Sequence, residues 1–347
     1  MTQLYNSTTH HRVASAGSVA IILSFIFSFT LPNSDRSIQT AAKLEKIDLY
    51  EAYAFTSGTV LETNDDYIFV TEGSDHHKVL AIDKDAHENY HYIGRGEGEG
   101  PGEVQILNNM DVQNDRIILF DRINLKILTY DVDDELLDEI MLDESAVNAD
   151  QMAVGSDYYF LIKTNPAENV FLQLDQVGEV VAEFEQIETD EPGFIDDAPV
   201  NLKYSGHLAS NEHDELFYAG HSEPVINKYA PGGELLYTTE TIENLDSSDN
   251  YDVSGNMIQY SEDAVFSSAA MTLWDEYIVI TPSDNEDDDL GSAQPLLDLY
   301  HQSDGEYSSS IELKTSPTYV VVEADYIYSL EFRDGLPYLI VYENPVG

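Results

Sequence analysis

The chain has 347 residues, of which 66 are acidic and 15 basic, so its formal net charge is −51. This surplus of acid excludes a basic surface that would neutralise phosphates, and we expect no nucleic-acid partner. Cysteine is absent, which excludes disulfides, thiolate metal sites, a cysteine nucleophile and a cysteine-linked lipid anchor.

The apolar pattern indicates a folded protein in spite of this charge. Hydrophobic residues make up 42% of the chain, and its 23 tyrosines favour strands. Charge of this size is typical of disordered chains, but apolar alternation continues almost to the last residue. We therefore interpret the chain as halophilic, with a carboxylate-rich folded surface that stays hydrated in molar salt.

The first predicted element is an apolar segment from Val13 to Leu31, which carries no charge and follows Arg12. It is typical of a signal peptide. About 20 apolar residues also suffice to span a bilayer, so an uncleaved anchor is the alternative. We expect residues 1–42 to be a signal peptide or membrane anchor with a short linker. Residues 43–347 are then an exported domain in the periplasm or cell envelope.

From residue 44 onward, one unit recurs six times. Each unit contains an acidic turn followed by an apolar strand, and the turns recur at intervals of 42 to 61 residues, at Asp66, Asp115, Asp157, Asp214, Asp275 and Asp325. Repeats of about this length that hold several short strands are typical of propeller blades. The sequence therefore predicts an all-β fold, a six-bladed β-propeller with four strands per blade.

The two ends of the chain complement each other in this prediction. The sixth unit has few residues after Tyr342 and lacks an outer strand, whereas the first unit has a surplus strand from Leu44 to Tyr50. Pairing the surplus strand with the last blade would close the ring and remove an exposed edge. We expect closure by this N-terminal strand.

Loop lengths differ between the two faces of the predicted disc. In antiparallel blades successive loops alternate between the faces, and the long ones all fall on one face, at residues 94–103, 188–198, 244–265 and 282–294. Long loops on a rigid scaffold are a usual place for function, although neutral insertions are an equal alternative. We expect any ligand or partner to contact this face near the mouth of the central channel.

The first of these loops, Gly94 to Glu103, contains five glycines and one proline in ten residues. Together with Ile93 and Val104 it resembles the Gly-Pro-Gly-Glu signature of six-bladed β-propellers common in Bacteroidetes-type bacteria, which are similar to NHL-type propellers. The resemblance implies an exported or envelope-attached propeller and no catalytic residue. Val104 stands where that family often has an aromatic residue.

Three side chains are the candidate ligand-binding residues. Arg95 is one of few arginines, and it pairs with a neighbouring carboxylate or contacts an anionic ligand. Asn108 and Asn109 precede a predicted inner strand, where they face the channel or serve a turn. The glycine loop lacks the spacing and the lysine of a phosphate cradle.

No metal site or catalytic residue is predicted. The acidic run from Asp284 to Asp289 departs from the calcium-loop pattern by one position, and we interpret it as solvated. His76, His77 and His221 are interpreted as surface histidines without a third ligand. No Gly-x-Ser-x-Gly motif supports a serine hydrolase.

Taken together, these features predict a binding or interaction module rather than an enzyme. We expect a monomer without a cofactor, whose partner is an unidentified extracytoplasmic protein or glycan. The alternative is a metal-dependent hydrolase or lactonase with a site in the central channel, which would need three or more Asp, Glu, Asn or His side chains converging on the axis.

Overall fold

The structure, a computed structural model, describes most of the chain from residue 36 onward. The described ranges are 36–49, 60–72, 78–107, 109–163, 169–186, 194–195, 198–199, 204–242, 251–254, 257–260, 266–282, 295–333 and 336–347. The predicted segment from 13 to 31 therefore lies outside them, as do Asn108, His76 and His77. No helix in the described ranges is long and apolar enough to cross a membrane.

The described residues form six blades, each with four antiparallel strands, and the sheet of blade 5 has a fifth strand at its outer edge; this confirms the six-bladed β-propeller. The chain begins with β1 (Ile38–Thr40) and β2 (Lys43–Asp48). From the innermost strand outward, blade 1 then comprises β3 (Leu61–Thr63), β4 (Tyr67–Glu72), β5 (Lys78–Asp83) and β6 (Tyr90–Ile93). Blade 2 comprises β7 (Met110–Gln113), β8 (Arg116–Asp121), β9 (Lys126–Asp131) and β10 (Leu136–Met141).

A short 3₁₀ helix (Glu144–Ala146) connects blade 2 to blade 3. Blade 3 comprises β11 (Ala149–Val154), β12 (Tyr158–Lys163), β13 (Asn169–Asp175) and β14 (Val180–Gln186). A hairpin of β15 (Phe194–Ile195) and β16 (Ala198–Pro199) follows. Blade 4 comprises β17 (Gly206–Ser210), β18 (Leu216–Gly220), β19 (Val225–Tyr229) and β20 (Leu235–Glu240).

The last third of the chain completes the ring. A second inserted hairpin consists of β21 (Tyr251–Ser254) and β22 (Met257–Tyr260). Blade 5 comprises β23 (Ala270–Trp274), β24 (Tyr277–Thr281), β25 (Leu296–His301) and β26 (Tyr307–Glu312). Blade 6 comprises β27 (Tyr319–Val322), β28 (Tyr326–Arg333), β29 (Leu336–Glu343) and, as its outer strand, β2.

Hydrophobic packing between neighbouring blades holds the ring together. The middle strands of a blade are buried on both faces, so β8 and β13 are nearly continuous apolar runs. The outer strand β10, in contrast, is mostly exposed or half-buried. The buried apolar residues described here form six clusters, one at each of the six blade-to-blade interfaces. Each blade is therefore stabilised by both of its neighbours.

The ring closes as the sequence predicted, through the N-terminal strand β2. Its residues pair antiparallel with β29, which came from the other end of the chain. The stretch expected to be a linker contributes an additional strand, since β1 pairs in parallel with β26 of blade 5. Arg36 supports this contact through an ion pair of 3.1 Å with the buried Asp298. The N-terminal segment thus binds the outer edges of blades 5 and 6 in succession.

The strand order also fixes where the long loops leave the disc. Each blade runs antiparallel from β3, β7, β11, β17, β23 or β27 outward, so the strand ends that flank all four long loops lie on the face where the inner strands begin. The opposite face carries tight turns, in which Asn64 N–H donates to the Tyr67 carbonyl at 3.1 Å and Gly155 N–H to the Tyr158 carbonyl at 2.8 Å. We call these the long-loop face and the short-turn face.

The glycine-rich loop folds back on itself and packs on the outer strands of blade 2. Gly98 N–H donates to the Val104 carbonyl, and Val104 N–H to the Gly96 carbonyl, each at 3.0 Å. Gly102 N–H donates to Glu139 of β10 at 3.0 Å, and the Tyr130 hydroxyl of β9 donates to the Gly102 carbonyl. The loop is therefore a structural connection between blades 1 and 2.

Gly102 is a position where this loop requires glycine. Its φ is +76°, and an added Cβ would lie 2.8 Å from both the Arg95 side chain and the Tyr130 hydroxyl. We expect Gly102→Ala to lower the free energy of unfolding by about 2 to 4 kcal/mol, because left-handed strain and a steric clash act together. Urea melts followed by tyrosine and tryptophan fluorescence measure this loss.

Gly232→Ala is the matched control, since Gly232 has φ +90° and no atom within 4 Å of an added Cβ. It keeps the strain without the clash, and we expect a loss of about 1 kcal/mol. Equal losses in the two variants would contradict the packing role of the loop.

Candidate functional site

The six inner strands enclose a central cavity. They contact one another in the closed order β3, β7, β11, β17, β23, β27 and back to β3. The cavity between them has a volume of about 440 Å³ and lies mainly beside the first residues of these strands, which is the long-loop side. Its polar lining includes Glu62, Asp111, Asp150, Gln151, His207 and Tyr319.

Side chains of β7 fasten blade 2 to blade 3 along one wall of this cavity. Inner strands of adjacent blades do not pair through their backbones, so β11 has an open edge. Alternate residues of β7 point to the same side. Val154 N–H donates to Asp111 Oδ2 at 3.1 Å, and Gln113 Nε2 donates to the Val154 carbonyl at 2.9 Å. The side chains thus take the place of a strand partner.

Asn109, one of the predicted ligand residues, belongs to the same row. It lines the cavity but is only 9% exposed. With its amide in the orientation that satisfies hydrogen bonding, it donates to the Met152 carbonyl and accepts from Met152 N–H, both at 3.2 Å. The hydrogen bonds of its amide are thus taken up by β11.

Arg95, the other described candidate, lies away from the cavity. Its side chain is exposed and crosses Gly102, and its Nη1 donates to the Pro101 carbonyl at 2.9 Å. It is absent from the described residues that line the cavity. The structure therefore places Asn109 at the channel and Arg95 within the glycine-rich loop, and it does not bring the two together.

Glu62 and Asp111 form an acidic pair that the sequence reasoning missed. They occupy equivalent positions on adjacent inner strands, paired in register with Phe69 and Ile118. At this position the other blades carry Ala153, Ala209, Thr272 and Val321. Aligning the six units on their turns would have revealed the two acids, but not that they face a shared cavity.

Burial changes the protonation of this pair. Loss of hydration raises the pKa of Glu62 well above its ordinary value, and the nearby charge of Asp111 raises it further. Burial also raises the pKa of Asp111 to about 6, against the opposing effect of the Val154 and Val112 N–H groups. At neutral pH we therefore expect Asp111 to be mostly ionised, while Glu62 holds its proton to a higher pH than an ordinary glutamate does.

The third acid of the lining, Asp150, has a cationic partner. Arg122, in the turn between β8 and β9, forms an ion pair with Asp150 at the start of β11. Because both side chains are partly exposed, the Arg122–Asp150 ion pair belongs to the rim of the cavity. It does not compensate the charge of Glu62 and Asp111, which we call the inner pair.

Two histidines stand on the blade 4 side. His207 lines the cavity, and its ring lies 6.1 Å from that of His221. Burial lowers the pKa of His207 to about 4, helped by His221, and also lowers the pKa of His221. Both rings are therefore neutral at pH 7. The interpretation of His221 as a surface histidine is wrong, because its ring is half-buried and stacks on Phe266 at 4.4 Å.

The described part of the chain offers few ligands for a metal ion. No group of three His, Asp or Glu side chains there lies close enough to share one ion. The acidic run from Asp284 to Asp289 lies outside the described residues. The cavity thus holds the Glu62 and Asp111 carboxyl groups, the Asp150 carboxylate at its rim, a neutral imidazole and a tyrosine, an arrangement that suits hydrogen bonding, ion pairing and proton transfer.

Comparison with known proteins agrees with the observed architecture. A family model described as a 6-bladed beta-propeller, DUF5128, matches residues 53–262. The chain is similar to the structure of a DUF4221 member from Bacteroides vulgatus, with a TM-score of 0.53 and 8% identity over 87% of this chain and 97% of that one. It is also similar to a streptogramin B lyase, with a TM-score of 0.50 and 11% identity over 87% of this chain and 98% of that one.

These likenesses identify an architecture and not an activity. The fold matches 753 chains of solved structures. Sequence identities of 8% and 11% to the two structures above do not assign a function. No curated protein matches the sequence. The likeness of the glycine-rich loop to a signature, and of the blades to NHL-type propellers, stays a prediction. The family match covers more than half of the chain, and the protein therefore belongs to the DUF5128 family of six-bladed β-propellers.

Proposed function

We propose that the protein is an exported binding module that holds a small molecule in its central cavity. The observation that carries this proposal is Glu62, a carboxyl that lines the cavity and receives no hydrogen bond from any described residue. Its pKa is raised by burial. Clefts of about 300 to 1,000 Å³ with a few converging polar groups are typical ligand sites, and the cavity falls within that range.

The placement of the cavity supports the same proposal. It opens among the first residues of the inner strands, on the face from which the long loops depart. Scaffold strands hold the polar groups in place, while loops at the mouth are free to vary. A protein or glycan partner that reaches the long-loop face would meet this opening.

An acid–base enzyme in the same cavity is the second candidate. Buried neighbouring carboxyl groups with raised pKa values suit a proton donor and a proton acceptor. The streptogramin B lyase is an enzyme of similar fold. The metal-dependent form of this alternative has less support, because catalytic zinc usually has three protein ligands and the described cavity offers two neighbouring carboxylates.

The expected environment completes the proposal. Export rests on the apolar segment from Val13 to Leu31, and the net charge of −51 favours a habitat of high salt. We propose a monomer in the periplasm or cell envelope.

Filling the cavity tests the proposed function. Ala209 lines it from β17, so Ala209→Leu should displace a ligand without adding charge. We expect at least one class in a library of sugars, amines and carboxylic acids to raise the melting temperature of the wild type, and Ala209→Leu to abolish that rise. Ala324→Leu is the control, since Ala324 is exposed in the β27–β28 turn on the short-turn face. A ligand that stabilises Ala209→Leu as strongly as the wild type would contradict the cavity site.

Salt should stabilise the fold steeply. Repulsion among the surplus carboxylates opposes the compact state, and the screening length falls from about 10 Å at 0.1 M to about 3 Å at 1 M salt. We expect the melting temperature in KCl to rise mostly below about 1 M and then to level off. Equimolar steps of sucrose, which screens nothing, are the control. A melting temperature that stays flat in KCl would contradict the halophilic interpretation.

A further inference from the structure

The interior of the central cavity carries negative charge without a positive counterpart. Its lining includes Glu62, Asp111 and Asp150, and the last of these is paired with Arg122. No lysine or arginine is among the described residues that line the cavity. His207 cannot supply the charge, because burial lowers its pKa to about 4 and leaves it neutral at pH 7.

Few hydrogen-bond donors of the described residues reach the carboxyl groups of the inner pair. Asp111 accepts from Val154 N–H at 3.1 Å, whereas Glu62 accepts from no described group. Each side chain keeps some accessible surface, and that surface faces the cavity. An ionised carboxylate removed from water without a partner is costly. The cavity therefore presents acceptor oxygens, and the missing component is a donor that carries positive charge.

The remaining lining favours an organic cation over a metal ion. Two carboxylates are fewer ligands than calcium or catalytic zinc usually takes, and the amide of Asn109 is engaged by Met152. Tyr319 and Met271, which keep some exposed surface, also line the cavity. Aromatic faces and thioethers pack well against the hydrocarbon part of an ammonium compound.

We propose that the ligand of the central cavity is a small primary amine, bound as its ammonium ion by Glu62 and Asp111. This inference rests on the proposed function, because it assigns a chemical class to the ligand of that cavity. An ammonium group has three N–H donors, which the two carboxylates can share. When it binds, any proton held by the pair is released to solvent, and the resulting carboxylates share the ammonium.

Affinity for the amine should then rise with pH. The ionisable groups that face the pair are Asp150, held by Arg122, neutral His207 and Tyr319, whose pKa burial raises above its ordinary value. Neither His207 nor Tyr319 changes its charge between about pH 5 and pH 7.5. Asp111 does, since burial raises its pKa to about 6, and the pKa of Glu62 is raised in the same direction.

Calorimetry with two probes of nearly equal shape tests the proposal on the full chain. Benzylamine is cationic and benzyl alcohol is neutral, and both are titrated in about 1 M KCl to screen the surface charge. We expect benzylamine to bind at about pH 7.5 roughly 10-fold or more tightly than benzyl alcohol. Benzylamine should also bind more weakly at about pH 5.

Variants assign this preference to the pair. Glu62→Gln and Asp111→Asn keep the shape of each side chain, and the asparagine still offers an oxygen to Val154 N–H. Each should weaken benzylamine binding by about 10-fold or more and leave the alcohol unchanged. Asp325→Asn is the control, because it removes one charge from an exposed turn on the short-turn face.

The outcomes separate this inference from the proposed function. No measurable binding of benzylamine, equal binding of the two probes, or full binding to Glu62→Gln would overturn the amine proposal. A neutral ligand that the wild type binds and Ala209→Leu does not bind would still support the cavity as the site. Retention of benzylamine by Ala209→Leu would overturn both.

Discussion

The structure depends on one constraint, which is that a closed ring of blades leaves six strand edges facing its axis. Each inner strand pairs with one neighbour inside its own blade and has no backbone partner across the channel. The open N–H and C=O groups must find other partners or water. In blade 2 the alternate side chains Asn109, Asp111 and Gln113 supply them for β11. Closure of the ring therefore accounts for polar residues at the axis, and their presence there does not by itself indicate a function.

Glu62 departs from that structural role. It occupies the position of Asp111 in the neighbouring blade, but no described backbone group meets its carboxyl. Because burial raises both pKa values, the pair lowers stability as pH rises from the ordinary carboxyl pKa through the folded values. His207, with its pKa lowered to about 4, lowers stability as pH falls from 6.5 toward 4. Buried ionisable groups that lower the stability of the fold are typical of a site kept for function.

Much of the fold could be predicted from the sequence because blade repeats and strand alternation are local patterns. The acidic turns marked six units, and the unequal ends indicated closure by an N-terminal strand, which β2 provides. The parallel strand β1 gave no such signal, since its three exposed residues show no alternation. Its position depends on a partner edge more than 260 residues away along the chain.

The candidate site was harder to predict, because whether a residue belongs to it depends on which strand edges converge in the folded protein. Asn109 was identified from its place before an inner strand, and it does line the cavity. Arg95 was singled out for its rarity, but its side chain serves the glycine-rich loop. Glu62 and Asp111 resemble the many surface acids of this chain. Their unusual chemistry arises from burial, which composition and spacing do not report.

The protonation of the inner pair is the central claim, and carboxyl carbon shifts in a ¹³C NMR titration measure it directly. Glu62→Gln and Asp111→Asn assign the two signals. The account predicts that Asp111 titrates near pH 6 and that Glu62 titrates well above its ordinary pKa. In Asp111→Asn the pKa of Glu62 should fall, because the neighbouring charge is gone. Titration of both groups near pH 4, the ordinary carboxyl value, would show a pair hydrated like the surface and would contradict the account.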